Sequence, residues 1–255
     1  EFLSYGDETL LGVSRVFFLL GHNGAMSLTS VLKNQDFRRL WLGQAISQLG
    51  DHLYYLIFAF IADALTRDSR IVSTVLIVQA LPFLVFGPLA GAFADRFDRR
   101  RIMLFCDLAS TAILASASLF VYARGEISLP LIYFLAVTLS LVNVFFGPAK
   151  SASIPTILGP QDLVRGNSLS SATENLIPII RISLSSTMKT LLQEIAPRVS
   201  FSIASGFNDL SFLISAAYIW RLPRLVPERS TSPGNYWREI RAGLSYLKSH
   251  TAVKT

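Results

Sequence analysis

Apolar and polar positions along the chain separate into long blocks rather than short alternations. From Ile71 to Ala94, IVSTVLIVQALPFLVFGPLAGAFA carries no charged side chain, and at about 1.5 Å per helical residue it is long enough to cross a hydrocarbon core of ~30 Å. Similar blocks run over Ile102–Tyr122, Leu129–Ala149, Ser168–Leu192 and Ser200–Trp220, and an earlier one, Leu40–Leu65, is interrupted by Asp51 and Asp63. The pattern predicts six membrane-spanning helices joined by short connections, an all-α membrane bundle. Pro82, Pro88, Pro148, Pro155 and Pro178 lie in or beside the blocks and predict kinks.

The block from Leu40 to Leu65 has two unlike faces. Gln44, Ser47, Gln48, Asp51 and Tyr55 recur at helical spacings, whereas Leu42, Ile46, Leu49, Leu53, Ile57 and Phe60 fall mostly elsewhere. One side of this helix therefore faces something wet. Asp51 follows Arg39 by about twelve residues, roughly 18 Å, which puts a carboxyl group near mid-membrane, where ionisable groups are costly and concentrate at functional sites. Two roles fit it. It exchanges a proton or touches a substrate, together with Gln48 and Tyr55, or it is a structural carboxyl bonded to backbone or paired with Arg181.

The fifth block poses the same choice. Glu174 and Arg181 fall nearly on one face, fit for an inward ion pair, an anion contact or a purely structural pair, while Lys189 reaches toward the outer surface. Tyr54, Tyr55, Phe58, Asn143, Phe145 and Phe146 either line an amphipathic pocket or serve packing and the membrane interface.

Composition narrows the class. With 51% hydrophobic residues, 16% charged and a mean hydropathy of +0.47, the chain has too few charges to keep the outer face of a soluble domain wet. Charge is also sorted by side. Of the 23 Lys and Arg residues, only Arg67, Arg70, Arg124 and Arg198 fall in connections on one side, and Arg181 and Lys189 fall within a block. The rest, Lys150 and Arg165 included, collect on the other side, which the positive-inside rule assigns to the cytoplasm. Both termini are then cytoplasmic, and the pI near 9.7 reflects a collar facing lipid rather than a nucleic-acid surface.

The chain divides accordingly into an N-terminal cytoplasmic segment over 1–36, a transmembrane domain over 37–222 and a cytoplasmic linker over 223–255. In the linker, Trp237, Ile240, Leu244 and Leu247 oppose Arg238, Glu239, Arg241 and Lys248, the pattern of an in-plane amphipathic helix. Enzyme chemistry is not expected: Cys106 stands alone, His22, His52 and His250 have no ligand spacing, and no phosphate-binding glycine loop or nucleophile elbow occurs. No metal, cofactor or catalytic residue is expected either.

GAFADRFDRRR, Gly91–Arg101, ends the second block and turns to the third. Gly87 and Gly91 make a G-x-x-x-G face that predicts close approach of another helix. Asp95 sits at a helix end beside Arg96, Arg99, Arg100 and Arg101, in reach of charge-assisted bonds. A Gly, an Asp four residues on, an Arg and a basic cluster, placed between the second and third spans, resemble the loop signature of the major facilitator superfamily, with Asp98 where its second glycine stands. NQDFRRLWLGQAISQLGD, FFGPAKSASIPTIL, DLVRGNSLSSAT, NDLSFLISAAYIWRL and REIRAGLSYLKSH look like the bacterial branch that contains macrolide and enterobactin exporters.

That resemblance, which runs from Asn34 to His250, implies two inverted three-helix repeats forming the N-terminal six-span half of a twelve-span carrier in a bacterial cytoplasmic membrane. It implies proton-coupled export of a small amphipathic, drug- or siderophore-like molecule, with a C-terminal six-span half and the lipid bilayer as partners. It also implies a cytoplasmic gate at Gly91, Asp95, Arg96, Arg99 and Arg100. On the residues alone, two alternatives stay open: the basic loop as a simple topogenic anchor, and the chain as a non-transporting membrane module or scaffold that binds a partner.

Orientation is directly testable. In a Cys106→Ser background, single cysteines at Ser69 and Ser128 are expected to react with an impermeant maleimide from outside intact cells, and one at Ser232 is expected to be protected. The reverse labelling pattern would overturn the orientation.

Overall fold

The computed structural model describes residues 29–66, 68–193 and 197–227. Most of the expected N-terminal segment and the amphipathic helix of the linker lie outside the described residues. Among these residues, a short 3-10 turn at Thr29–Lys33 leads into six helices: α1 (Gln35–Thr66), α2 (Ser69–Ala94), α3 (Arg99–Arg124), α4 (Leu129–Ile157), α5 (Pro160–Gln193) and α6 (Pro197–Trp220). Each apolar block of the sequence falls inside one helix.

Local polar chemistry sets the boundaries. The Asn34 side-chain oxygen accepts from the main-chain N–H groups of Asp36 and Phe37 at 3.0 and 3.1 Å to open α1, and Asp68 accepts from the Arg70 N–H at 2.8 Å to open α2. Gly125, with φ 77°, closes α3 in the left-handed conformation that costs glycine little. α4 continues through Pro148 and Pro155 to Ile157, and α5 begins at Pro160. Lys150 and Arg165, read from the sequence as connection residues, therefore lie within helices.

α6 packs on α1 and α3, α4 packs on α2 and α3, and α5 packs on α1. One buried cluster gathers near the α2–α3 turn, with Phe37, Leu40, Met103, Ala149 and Ile219; another, with Leu114, Val121, Ile132, Leu135 and Phe201, fills the rest of the interior. The outward face of α2 shows Leu76, Ile77, Leu84 and Val85, with Leu84 80% exposed, the surface of a helix made for hydrocarbon.

Four helical segments, Gln35–Asp63, Arg70–Ala94, Arg99–Arg124 and Leu129–Ile157, are long and apolar enough to cross a membrane. α5 and α6 form over the other two expected spans without reaching that average apolarity. In α6 the reason is visible: Ser200, Ser205, Asn208, Ser211 and Ser215 are buried, whereas Ile203, Phe207, Leu210 and Leu213 are exposed. These five polar residues point inward, which lowers the average along the chain while leaving a largely apolar exterior.

The expected close approach at Gly87 and Gly91 does not occur among the described residues, because a Cβ at either position would meet nothing within 4 Å. Spacing shows where a helix can be approached, not whether one arrives, and α2 stands at the edge of the bundle. Close approach occurs on α1 instead. A Cβ at Gly50 would fall on Ser211 and within 2.6 Å of Asn208 Oδ1, and one at Gly43 would lie 3.2 Å from Tyr218 Cβ. Gly50→Ala is therefore expected to force α1 from α6 and cost about 1–3 kcal/mol, read as a lower thermal midpoint of the purified chain in detergent, while Gly87→Ala leaves the midpoint unchanged. Equal effects at the two positions would contradict this packing.

Candidate functional site

The α2–α3 turn is held by its own charges. Asp98, extended at φ −60° and ψ 110°, caps α3 by accepting from the Arg100 N–H at 3.1 Å. The same oxygen accepts from the Leu225 N–H at 3.2 Å, and the Arg99 N–H donates to the Leu225 carbonyl at 3.2 Å, so the turn and the segment after α6 clasp each other. Asp98 is thus a functioning helix cap.

The arginines reach further. Arg99 Nη1 donates to the Ala152 carbonyl at 2.8 Å and to Thr156 Oγ1 at 2.6 Å on α4, and its Nε donates to the Ala94 carbonyl at 3.2 Å. Arg100 Nη2 donates to the Trp220 carbonyl at 2.5 Å, with its guanidinium 5.6 Å from the centre of the Trp220 ring. Asp95 closes α2 through its main-chain N–H, bonded to the Gly91 carbonyl at 3.1 Å. Its side chain and that of Arg96 are exposed and make no hydrogen bond or ion pair among the described residues. The expected contact of Asp95 with its neighbouring arginines is absent among the described residues: Arg99 and Arg100 bond carbonyls of other helices, Arg101 lies 3.8 Å from Asp98, and the Arg96 side chain is exposed.

Inside the bundle the polar stripe of α1 divides among its neighbours. The Asp51 carboxylate accepts from Asn208 Nδ2 of α6 at 3.3 Å. Ser211 donates toward Asn208, its hydroxyl 2.8 Å from the main-chain carbonyl and 3.1 Å from Oδ1. The Tyr55 hydroxyl lies beside Asn143 and Ser140 of α4. Gln44 and Gln48 line a narrow cleft with Lys150 and Thr173. Phe145 turns the other way, into a groove with Phe93, Phe97 and Phe105, so the aromatic residues do not converge on one pocket. The side chains of Phe58, Arg181 and Lys189 lie outside the described residues.

Glu174 is paired with Lys150 of α4; the expected pairing with Arg181 involves a side chain outside the described residues. Lys150 is buried and Glu174 about half exposed, so the pair ties α5 to α4 at the mouth of the cleft. The sequence reading also passed over Asp107, which is 2% exposed on α3 and lies beside Ser215 of α6. The signal was there: a lone carboxyl in an apolar block, the same rule that picked out Asp51.

Residues 26–255 match the family profile described as Transmembrane secretion effector. The chain is similar to Macrolide efflux protein A of Streptococcus pyogenes, with 24% identity over 219 residues that cover 85% of this chain and 52% of that protein. It is also similar to the Uncharacterized MFS-type transporter YfiS of Bacillus subtilis (strain 168), with 30% identity over 219 residues that cover 82% of this chain and 48% of that protein. The chain spans about half the length of these curated relatives, and both are named as transport proteins rather than enzymes.

The ion pair on α4 and α5 gives a prediction independent of transport. Glu174→Gln leaves the buried Lys150 ammonium with a neutral partner and is expected to destabilise the purified chain by about 1–3 kcal/mol. Adding Lys150→Met is expected to restore part of the loss, because a buried pair exchanged whole costs less than one broken. A double variant as unstable as the sum of the two single ones would show that the pair does not couple the helices.

Proposed function

The chain belongs to the transmembrane secretion effector family of the major facilitator superfamily, and on that premise we propose that it forms the N-terminal six-span half of a carrier exporting a small amphipathic, drug- or siderophore-like molecule in exchange for protons. It is an integral membrane protein. We place it in a bacterial cytoplasmic membrane with the α2–α3 turn on the cytoplasmic side.

The helix contacts support the repeat that such a half requires. Exchanging α1 with α4, α2 with α5 and α3 with α6 turns the α1–α6 contact into α4–α3 and the α2–α4 contact into α5–α1, and leaves α3–α6 unchanged; all of these pairs pack. That is the relation expected of two three-helix units about one axis.

Proton coupling rests on the placement of Asp51, inside the bundle, partly open, and held by a neutral amide. An arginine partner would hold the charged form. An amide offers an N–H to the carboxylate and, with its plane turned, a carbonyl to the acid, so the group keeps a partner in either state. Gln48 and Tyr55 extend the same stripe and are proposed to meet the substrate, with Glu174 and Arg181 on α5. At the turn, Gly91, Asp95, Arg96, Arg99 and Arg100 form the proposed cytoplasmic gate: Arg99 and Arg100 fix the turn, and the exposed Asp95 docks on the second half when that side is closed.

In the complete carrier, Asp51→Asn is expected to abolish proton-driven efflux of a fluorescent amphipathic dye or a labelled macrolide from loaded cells, with membrane insertion unchanged. An inserted Asn variant with undiminished proton-coupled efflux would overturn the coupling role.

A further inference from the structure

α6 carries a polar stripe that its loops do not explain. Ser205, Asn208, Ser211 and Ser215 follow one helical face and are 0%, 1%, 3% and 0% exposed. Each meets a neighbouring helix. The Ser205 and Ser118 hydroxyls are 2.6 Å apart, which ties α6 to α3; Asn208 donates to Asp51 of α1; Ser211 lies against Gly50 of α1; and Ser215 stands between Gly43 of α1 and Asp107 of α3. The stripe thus joins two carboxyl groups from different helices.

Asp107 is the deeper of the two. Its Oδ2 has no hydrogen-bond partner among the described residues, and neither does the Ser215 hydroxyl beside it. The ionisable groups acting around it are Asp51 from α1 and Cys106 from its own helix, with Asp209 on α6 half-buried. On α4, which also packs against α3, the charged residue is Lys150, held by Glu174. No Lys or Arg pairs with Asp107 among the described residues. An ionised carboxylate in that setting would have exchanged its hydration for at most one neutral hydroxyl, that of Ser215, whereas a carboxylic acid needs one acceptor for its hydrogen, and the same Ser215 oxygen can supply it. Along the helices, Asp107 lies about 12 Å from the start of α3 and Asp51 about 24 Å from the start of α1, so Asp107 stands between Asp51 and the α2–α3 end.

We propose that Asp107 is a second proton-binding group of the carrier, loaded and unloaded in concert with Asp51 across the polar stripe of α6. The proposal rests on the proton-coupled reading of Asp51. In the closed arrangement the Asp107 acid O–H points to Ser215 Oγ. When the seam opens to water, that O–H bond breaks, the proton passes to a water molecule as hydronium, and the carboxylate takes up hydration. Reloading is the reverse, and no other bond changes.

The test is infrared titration of the purified full chain in lipid nanodiscs, read in the carboxylic-acid C=O stretching region. Two protonated-carboxyl components are expected; Asp107→Asn removes one, Asp51→Asn removes the other, and Ser215→Ala shifts the frequency of the Asp107 component alone. An Asp107→Asn spectrum that superimposes on the parent across the titration would overturn the proposal. Where circular dichroism shows that variant unfolded, Ser215→Ala carries the test, since it keeps both carboxyls, and a spectrum without any shift overturns it equally. Efflux retained by Asp51→Asn would sink the coupling reading while leaving the Asp107 band in place; a missing Asp107 band with coupling intact would sink only the second group.

Discussion

A side chain that leaves water for the interior of a membrane bundle keeps its need for hydrogen bonds and loses the solvent that met it. Much of this structure follows from meeting that need on α6. Asn208 and Ser211 sit against α1 because α1 presents Gly50 where α6 crosses it; any Cβ at Gly50 would strike Ser211. The polar stripe therefore sits between α1 and α3, the apolar side chains of α6 turn outward, and a helix of modest average apolarity presents an oily exterior. Asp51 has a place in the bundle because Asn208 is brought to it.

The turn between α2 and α3 obeys the same demand at the surface. Carbonyls at the end of a helix lack intrahelical donors, and cationic donors are favoured there. Arg99 reaches the end of α2 and the last turns of α4, and Arg100 reaches the end of α6, so two guanidinium groups finish three helices. Asp98 completes the arrangement by capping α3 and holding Leu225. Fixing the turn in this way engages Arg99 and Arg100 elsewhere and leaves the Asp95 carboxylate, beside an exposed Arg96, facing outward.

The six helices were legible in hydropathy because apolar length is a local property. Their ends were not: apolarity stops where a helix leaves hydrocarbon, but backbone hydrogen bonding does not, so α4 carries Lys150 past the predicted boundary into contact with Glu174. Asp51 was legible as a lone carboxyl on a polar stripe, and its partner was not, since Asn208 lies in a distant block and only packing joins them. Asp107 carried the same signal and was outweighed by the denser charge of the nearby turn. The glycine rule chose Gly87 and Gly91 by spacing, whereas Gly50, with no second glycine at that spacing, marks the crossing that matters. Local patterns find elements and exceptional residues; partners are a property of the arrangement.

That arrangement is an arc. The main contacts run from α2 to α4, α3, α6, α1 and α5 in turn, with α2 and α5 first and last in the series; smaller contacts join α1 to α4, α2 to α1 and α5 to α4. The cleft lined by Gln44, Gln48, Lys150 and Thr173 lies toward α5, and Asp95 is exposed at the C-terminus of α2. Exchange of the two proposed three-helix units maps α2 onto α5, so a partner built alike and docked between α2 and α5 would face related surfaces twice. In the proposed carrier, the partner that covers the polar cleft is therefore also the one that reaches Asp95. In that proposal the charged turn holds or releases the second half from the surface, while the interior carboxyl groups are held separately by α6.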